Sequence, residues 1–368
     1  MAGFPFMKQA EAFRSSLPFI LLLAVFILPC PMSAAAKPRP AIAFVHLLLP
    51  PGGEPHASPA GWIGSLDRAR DTLESLRIPT IVSSASPRNA EDLNELSEMD
   101  PEVLITTSPL LYAAACDVAK RSPNTVFFAC TDETVHDNMS GFQARTYEAH
   151  YLAGLIAGAL SEDGVIGYLA NDPYQSKASR LRNANAFTLG AQKSKAAIRV
   201  LYAPGNDSDE ELKTLIAAGA DIVDLERALP SLVERLREHS VRYVGTAGRT
   251  VDPLCLAAPE WEWSNAFGDL LTQVRFGIWR PRNVSYGIKE GVVGLSPFGP
   301  AVPETVRVRV REAKEAIRNG ASPFEGPVRD VSGSLRIAEG SVPDDATLRG
   351  MDWRVQGLEP LPLTPDGL

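Results

Sequence analysis

From residue 40 the chain alternates short apolar runs with stretches of helical spacing. Ala41-Ile-Ala-Phe-Val-His-Leu-Leu-Leu49 predicts a strand, followed by a Pro/Gly loop and a helix from about residue 64 to 76. Thr80 to Ser83, Val103 to Thr107 and Val126 to Cys130 predict three further strands, and Pro109 suits the first turn of the helix after the second of these. The runs are apolar on both faces, as in a parallel sheet covered by helices on each side. The pattern then begins again. A helix from Tyr147 to Leu160 leads into strands at 165–169, 198–202, 221–224 and 241–245, with helices near 175–193, 207–218 and 229–239 between them. Two βα series of similar size predict two doubly wound lobes. Beyond 250 only helices near 264–278 and 304–319 stand out, in Gly/Pro-rich material suited to crossing between lobes and capping them. Gly154 and Gly158 sit in the apolar helix with charges at both its ends, which predicts close packing of helix on sheet rather than a membrane contact.

The first 36 residues read differently. Lys8 and Arg14 precede an apolar run from Leu17 to Leu28, Pro29 breaks it, and Ser33-Ala-Ala-Ala36 closes it. A basic start, a short apolar stretch and a small-residue exit form an export signal cleaved near Ala36, giving a periplasmic or secreted protein. Cys30 fits a lipid-anchor site poorly, because Pro29 and Leu28 stand where small residues are needed. Cys116, Cys130 and Cys255 remain, widely spaced and without a CxxC pattern, and read as small apolar side chains. One disulfide among them stays open in an oxidising compartment.

Composition changes the picture only by exclusion. Of 368 residues, 45% are hydrophobic and 22% charged, ample for a core and unlike a disordered chain. Lys plus Arg number 36 against 44 Asp plus Glu, so nothing suggests nucleic acid. The five histidines show no helical zinc spacing, and GxSxG, Walker A and GxGxxG motifs are all missing from the sequence. Neither a metal nor a cofactor is expected, and the inventory leans away from catalysis. Tryptophans do stand near strand ends, where open sheets bind ligands: Trp62 after the first strand's loop, and Trp261 and Trp263 before a helix. A flat ring there can stack on a flat ligand.

Arg145-Thr-Tyr-Glu-Ala-His-Tyr-Leu-Ala-Gly-Leu-Ile-Ala-Gly158 resembles a stretch of the basic membrane protein family, the purine nucleoside receptor-like binding proteins of ABC importers. Gly61-Trp62, Thr106-Thr-Ser108, Ala186 to Ala191, Leu215 to Asp221, Tyr286 to Gly291, Pro323 to Pro327 and Met351 to Gly357 extend the resemblance in order. It implies an α/β type I periplasmic-binding-protein fold with three crossovers and a ligand in the cleft. The first lobe would be 37–144 plus about 249–283, the second 145–248 plus about 284–358, with 359–368 a tail. The implied role is capture of a small flat solute, a purine base or nucleoside, for a membrane permease. Trp62 would stack on it, Ser108 would line the first lobe, Asn171 and Asp172 would face it from the second, and Trp263 would sit near the hinge side. The helix start at Arg145 reads as architectural. Arg249 stands where many members place an aspartate, and an arginine there favours an acceptor-rich or anionic ligand. Two rival classes share this scaffold: a sensory receptor that presents its ligand without transport, and an exported hydrolase with a triad assembled through space.

Overall fold

The computed structural model describes residues 40–47, 61–85, 91–131, 133, 136–173, 175–245 and 252–362. The expected export segment with Cys30, and Arg249, lie outside the described residues. The first series runs β1 (Ile42–Leu47), α1 (Gly61–Ser75), β2 (Thr80–Ala85), α2 (Glu91–Glu98), β3 (Val103–Thr106), a 3-10 turn at Pro109–Leu111, α3 (Tyr112–Ala119), β4 (Val126–Cys130) and β5 (Met139–Ala144). The second runs α4 (Tyr147–Leu160), β6 (Val165–Leu169), α5 (Lys177–Ser194), β7 (Arg199–Ala203), α6 (Ser208–Ala217), β8 (Ile222–Leu225), α7 (Pro230–Glu238) and β9 (Arg242–Gly245). The remainder holds β10 (Cys255–Ala257), β11 (Pro259–Trp261), α8 (Ser264–Arg275), β12 (Asn283–Tyr286), β13 (Val293–Leu295), α9 (Glu304–Arg318), β14 (Val328–Arg329), β15 (Leu335–Ile337), α10 (Asp345–Arg349) and β16 (Leu358–Pro360).

Two six-stranded sheets result, ordered β12-β5-β4-β3-β1-β2 and β10-β9-β8-β6-β7-β16. Every pairing within them is parallel. Alternate residues go to opposite faces, as the pleat requires. In β1, Ile42 and Phe44 pack under α1 and α8, while Ala43, Val45 and Leu47 face α2 and α3. In the second sheet Ile166 and Tyr168 of β6 meet α4 and α5, and Leu169 packs with α6 and α7. The three cysteines are unbridged, with Cys116 and Cys130 buried and Cys255 half-buried.

Helix α4 is glycine-bearing for a reason that only the fold reveals: it lies against α5, not against bare sheet. A Cβ on Gly154 would fall 2.1 Å from the Phe187 carbonyl oxygen, and one on Gly158 would fall 2.2 Å from that of Ala191. The partner helix reciprocates, since a Cβ on Gly190 would come within 2.1 Å of the Tyr151 carbonyl oxygen. The neighbours are backbone and cannot swing away. Gly154→Ala should therefore cost about 1–3 kcal/mol, the usual range for overpacking. Thermal melting reads this directly, and an unchanged midpoint would mean the helices separate freely.

Three connections pass between the sheets, at 145–146, 258–263 and 287–292, and they are tied to one another. Strands β11 and β13 pair antiparallel, matching Pro259 with Leu295 and Trp261 with Val293. The Trp261 indole N–H donates to Thr146 Oγ1 at 3.3 Å, linking the first two connections. Arg145 donates to the Ser285 carbonyl at 2.7 Å and ion-pairs with Glu148 at 2.7 Å and Glu290 at 2.5 Å, linking first to third. Glu148 also accepts from the Ile288 backbone N–H at 2.7 Å. Gly287 fits between these side chains only because it has none: a Cβ there would lie 2.5 Å from both Arg145 Nη2 and Glu148 Oε2.

The division expected from the sequence puts 249–283 with the first lobe, but β10 pairs with β9 and belongs to the second sheet. Likewise β12, which reaches just past that boundary, completes the first sheet beside β5. The changeover sits after β10 because β11 is the strand that crosses.

Candidate functional site

Ligands of open parallel sheets bind beyond the carboxyl ends of the strands. Here β5 ends at Ala144 and α4 begins at Tyr147. Helix α4 runs back toward the start of β6, so its first turn lies at the carboxyl edge of the second sheet. The carboxyl edges of the two sheets are thus neighbours across the connections.

On the first-lobe edge Trp62, in the first turn of α1, is half-buried and donates its indole N–H to the Thr107 carbonyl at 2.8 Å. The edge-on rings of Trp261 at 5.9 Å and Trp263 at 5.2 Å hold it, with Phe142 lying nearly parallel at 6.3 Å. Trp263 itself is fully buried, stacked on Phe267 at 5.5 Å and edge-on to Tyr286 at 5.8 Å. It supports Trp62 from the hinge rather than reaching a ligand. Ser108 is buried, and its hydroxyl accepts from the Leu110 backbone N–H at 3.3 Å as the cap of the 3-10 turn.

Beside them stands an arrangement with the outline of a triad. His46 Nδ1 lies 3.2 Å from Thr107 Oγ1 and its Nε2 lies 3.3 Å from Asp67 Oδ1. The Thr107 hydroxyl, however, donates to the Val45 carbonyl at 3.1 Å, so it offers His46 a lone pair and not a proton. Thr107 is also fully buried. A nucleophile needs its proton on the base and its oxygen open to substrate. The arrangement fastens β1, β3 and α1 together instead.

The second-lobe edge is built from carboxylates. Asn171 spends its side chain on backbone: Nδ2 donates to the Arg227 carbonyl at 2.9 Å and Oδ1 accepts from the Arg227 N–H at 2.8 Å. That clamp joins the end of β6 to the end of β8, and the neighbouring Asp172, itself buried, accepts from Gln175 at 3.0 Å. Behind it Glu226 accepts from Tyr168 Oη at 2.8 Å and from Asn183 Nδ2 at 3.4 Å. His150, on the first turns of α4, pairs through Nδ1 with Asp224 Oδ2 at 3.2 Å.

Burial pushes the Glu226 carboxyl up to about 7, with His150 opposing and the Asp172 and Asp224 carboxylates adding to the rise. Burial works against the His150 imidazolium too, but the surrounding carboxylates, Asp224 first and then Glu226 and Asp172, together hold His150 above its ordinary value. Asp224 Oδ1 and Asn183 Oδ1 are buried with no hydrogen-bond donor among the described residues. The wall is rich in acceptors and short of donors.

Of the residues singled out in the sequence, Trp62, Ser108, Asn171 and Asp172 come to the facing edges, and Trp263 lies beneath Trp62. Sequence reasoning passes over His46, Thr107, His150, Asp224 and Glu226. Their partners are 61 and 74 residues away along the chain for the two histidines, so no local spacing marks them. The one available signal is position: each stands at or next to the carboxyl end of a strand or in the first turn of α4.

Residues 65–219 match the Bmp family model, described as ABC transporter substrate-binding protein PnrA-like. Over that stretch the chain is similar to this family. Its relatives agree over a greater length. A purine-binding protein of Brucella abortus is 28% identical over 346 residues, covering 89% of this chain and 95% of that protein. A Haloferax volcanii protein named as a putative ABC transporter glucose-binding protein is 28% identical over 310 residues, covering 77% of this chain and 78% of its own. Among solved structures, an ABC transporter solute-binding protein from Conexibacter woesei superposes with a TM-score of 0.60 at 17% identity, covering 76% of this chain and 97% of that one. That likeness concerns the fold, which is the two-lobed type I architecture. Among the described residues no helix is long and apolar enough to cross a membrane.

Proposed function

We propose that the protein is exported, with residues 1–36 as its signal segment, captures a purine base between its lobes, and delivers it to a membrane permease. The observation that carries this reading is the setting of Trp62. Its ring is half-buried at the cleft edge, fixed by one hydrogen bond and two edge-on tryptophans, so stacking a flat ligand on it costs little further ordering. Asp172 and Glu226 would then accept from ring N–H and amino groups of the ligand, a match for a base with a donor-rich edge. Asn171, Ser108 and Trp263 position these groups. The purine-binding relative supports the ligand class. Arg249 would add a donor for the ligand's acceptors.

Closure would be a hinge motion about the three tied connections, with the closed state favoured because the ligand touches both lobes. A thermal-shift screen with adenine, guanine, hypoxanthine and glucose tests the reading. A ligand at 100-fold its Kd adds about 2.7 kcal/mol of stability, well above noise. A shift with a purine and none with glucose is expected; a shift with glucose alone would move the ligand class to sugars. In calorimetry with the purine that binds, Trp62→Ala should weaken binding by about 1–3 kcal/mol, the range for one lost base–aromatic stack. Unchanged affinity would remove Trp62 from the site.

A further inference from the structure

The pole of the first lobe opposite the cleft has a character of its own. Among the described residues the three most exposed large apolar side chains are Phe276 at 76%, Leu76 at 66% and Ile278 at 64%. All three lie at the edge where the first sheet's strands begin. Leu76 follows α1 and precedes β2, and Phe276 and Ile278 follow α8. Arg275, the last residue of α8, is held at that edge by the Glu102 carboxylate at 2.9 and 2.7 Å, just ahead of β3.

The loop is pinned, not loose. Ile278 and Trp279 backbone N–H groups both donate to the Gln273 carbonyl at 3.1 Å, and Gly277 turns the chain at a φ of 67°. Trp279 packs inward against the core, so Phe276 and Ile278 are presented outward on a fixed turn.

Charge singles out the same place in an otherwise acidic protein of net charge -8. Residues 275–282 carry three arginines and no carboxylate. The Arg280 guanidinium donates to the Gly277 and Trp279 carbonyls and Arg282 donates to Gln273 Oε1. Neither arginine pairs with a carboxylate among the described residues, and both are exposed. Toward the end of α2 the edge turns acidic, at Glu98 and Asp100, which bounds the patch. The chain also enters the fold here, since the Ala41 N–H donates to the Pro79 carbonyl at 2.8 Å.

The geometry points to this pole as a membrane-contact surface, with Phe276, Ile278 and Leu76 entering the interfacial layer and Arg280 and Arg282 meeting anionic lipid headgroups. Apolar side chains interleaved with arginines are what an interfacial anchor needs, because apolar burial and headgroup attraction add. Binding would turn the cleft away from the bilayer beneath, so the contact would hold the protein near the membrane between encounters with a permease.

The test is co-sedimentation of protein beginning at residue 37, which keeps every described element, with vesicles of phosphatidylcholine alone or mixed with phosphatidylglycerol. Binding to the anionic vesicles is expected, weakening as salt rises. The pair Phe276→Ser and Ile278→Ser should lower the partition coefficient at least about tenfold, as should Arg280→Glu with Arg282→Glu, with unchanged melting temperatures. Three outcomes overturn the inference: no binding to either vesicle, equal binding by both variants and the parent, or a concentration-dependent dimer that the variants abolish, which would assign the patch to a second copy of the chain.

Discussion

Trp263→Ala should lower the stability of the ligand-free protein by about 3–5 kcal/mol, the usual cost of deleting a large aromatic from a core. The ring is fully buried and touches Trp62, Phe142, Phe267 and Tyr286, which come from α1, β5, α8 and β12. Removing it leaves a hole at the point where the second connection enters the first lobe. Its indole N–H finds no acceptor among the described residues. Trp263→Phe should therefore cost well under half as much, since no hydrogen bond is lost and most of the ring contact is kept. Urea unfolding of the three proteins separates the cases. An alanine variant as stable as the parent would place Trp263 outside the core, and equal costs for Ala and Phe would mean that the N–H is bonded.

Asp224→Ala should be as damaging for an electrostatic reason. It removes the first of the carboxylates that together hold the buried His150 above its ordinary pKa, and breaking a buried pair from one side costs about 3–5 kcal/mol. The loss should be largest at acid pH, where His150 is charged in the parent. A second variant isolates the neighbouring carboxyl. Glu226 has a folded value of about 7, against about 4.3 when unfolded, so its protonation favours the folded state. That contribution is fully present below about pH 4.3 and is lost as pH rises through about 7; His150, also raised, acts in the same sense at higher pH. Glu226→Gln should flatten the decline between about pH 5 and 8 by about 2–3 kcal/mol. Urea midpoints measured across that range check both variants. Parallel curves for the parent and the Glu226→Gln protein would show that this carboxyl ionises normally.

The sheets are legible because their strands are apolar on both faces and their helices are periodic. β5 escapes, since Met139-Ser-Gly-Phe-Gln-Ala144 carries polar residues and a glycine in mid-strand. A Cβ at Gly141 would lie 2.7 Å from the Thr131 backbone carbonyl oxygen and 2.1 Å from Asn283 Oδ1 on β12, a strand far away in the chain. The short strands β10 to β13 are equally silent: their partners, not their composition, make them strands. At the site, Trp62 announces itself by size and place. His46 and His150 look like stray polar residues inside apolar runs until Asp67 and Asp224 arrive. The carboxamide of Asn171 looks free in the sequence and is committed to the backbone of Arg227.

Two of the four outer strands carry a consequence for how the molecule is made. β12 covers β5 at one side of the first sheet and β16 covers β7 at one side of the second, yet both are encoded late. As the chain emerges from its amino end, β5 must wait with an open edge until residues 283–286 arrive, and β7 must wait for the last described strand. An unpaired edge is a template for the wrong neighbour. A chain ending short of Tyr286 would thus not yield half a working protein but a sticky intermediate, and assembly is best viewed as a single event completed by the late strands.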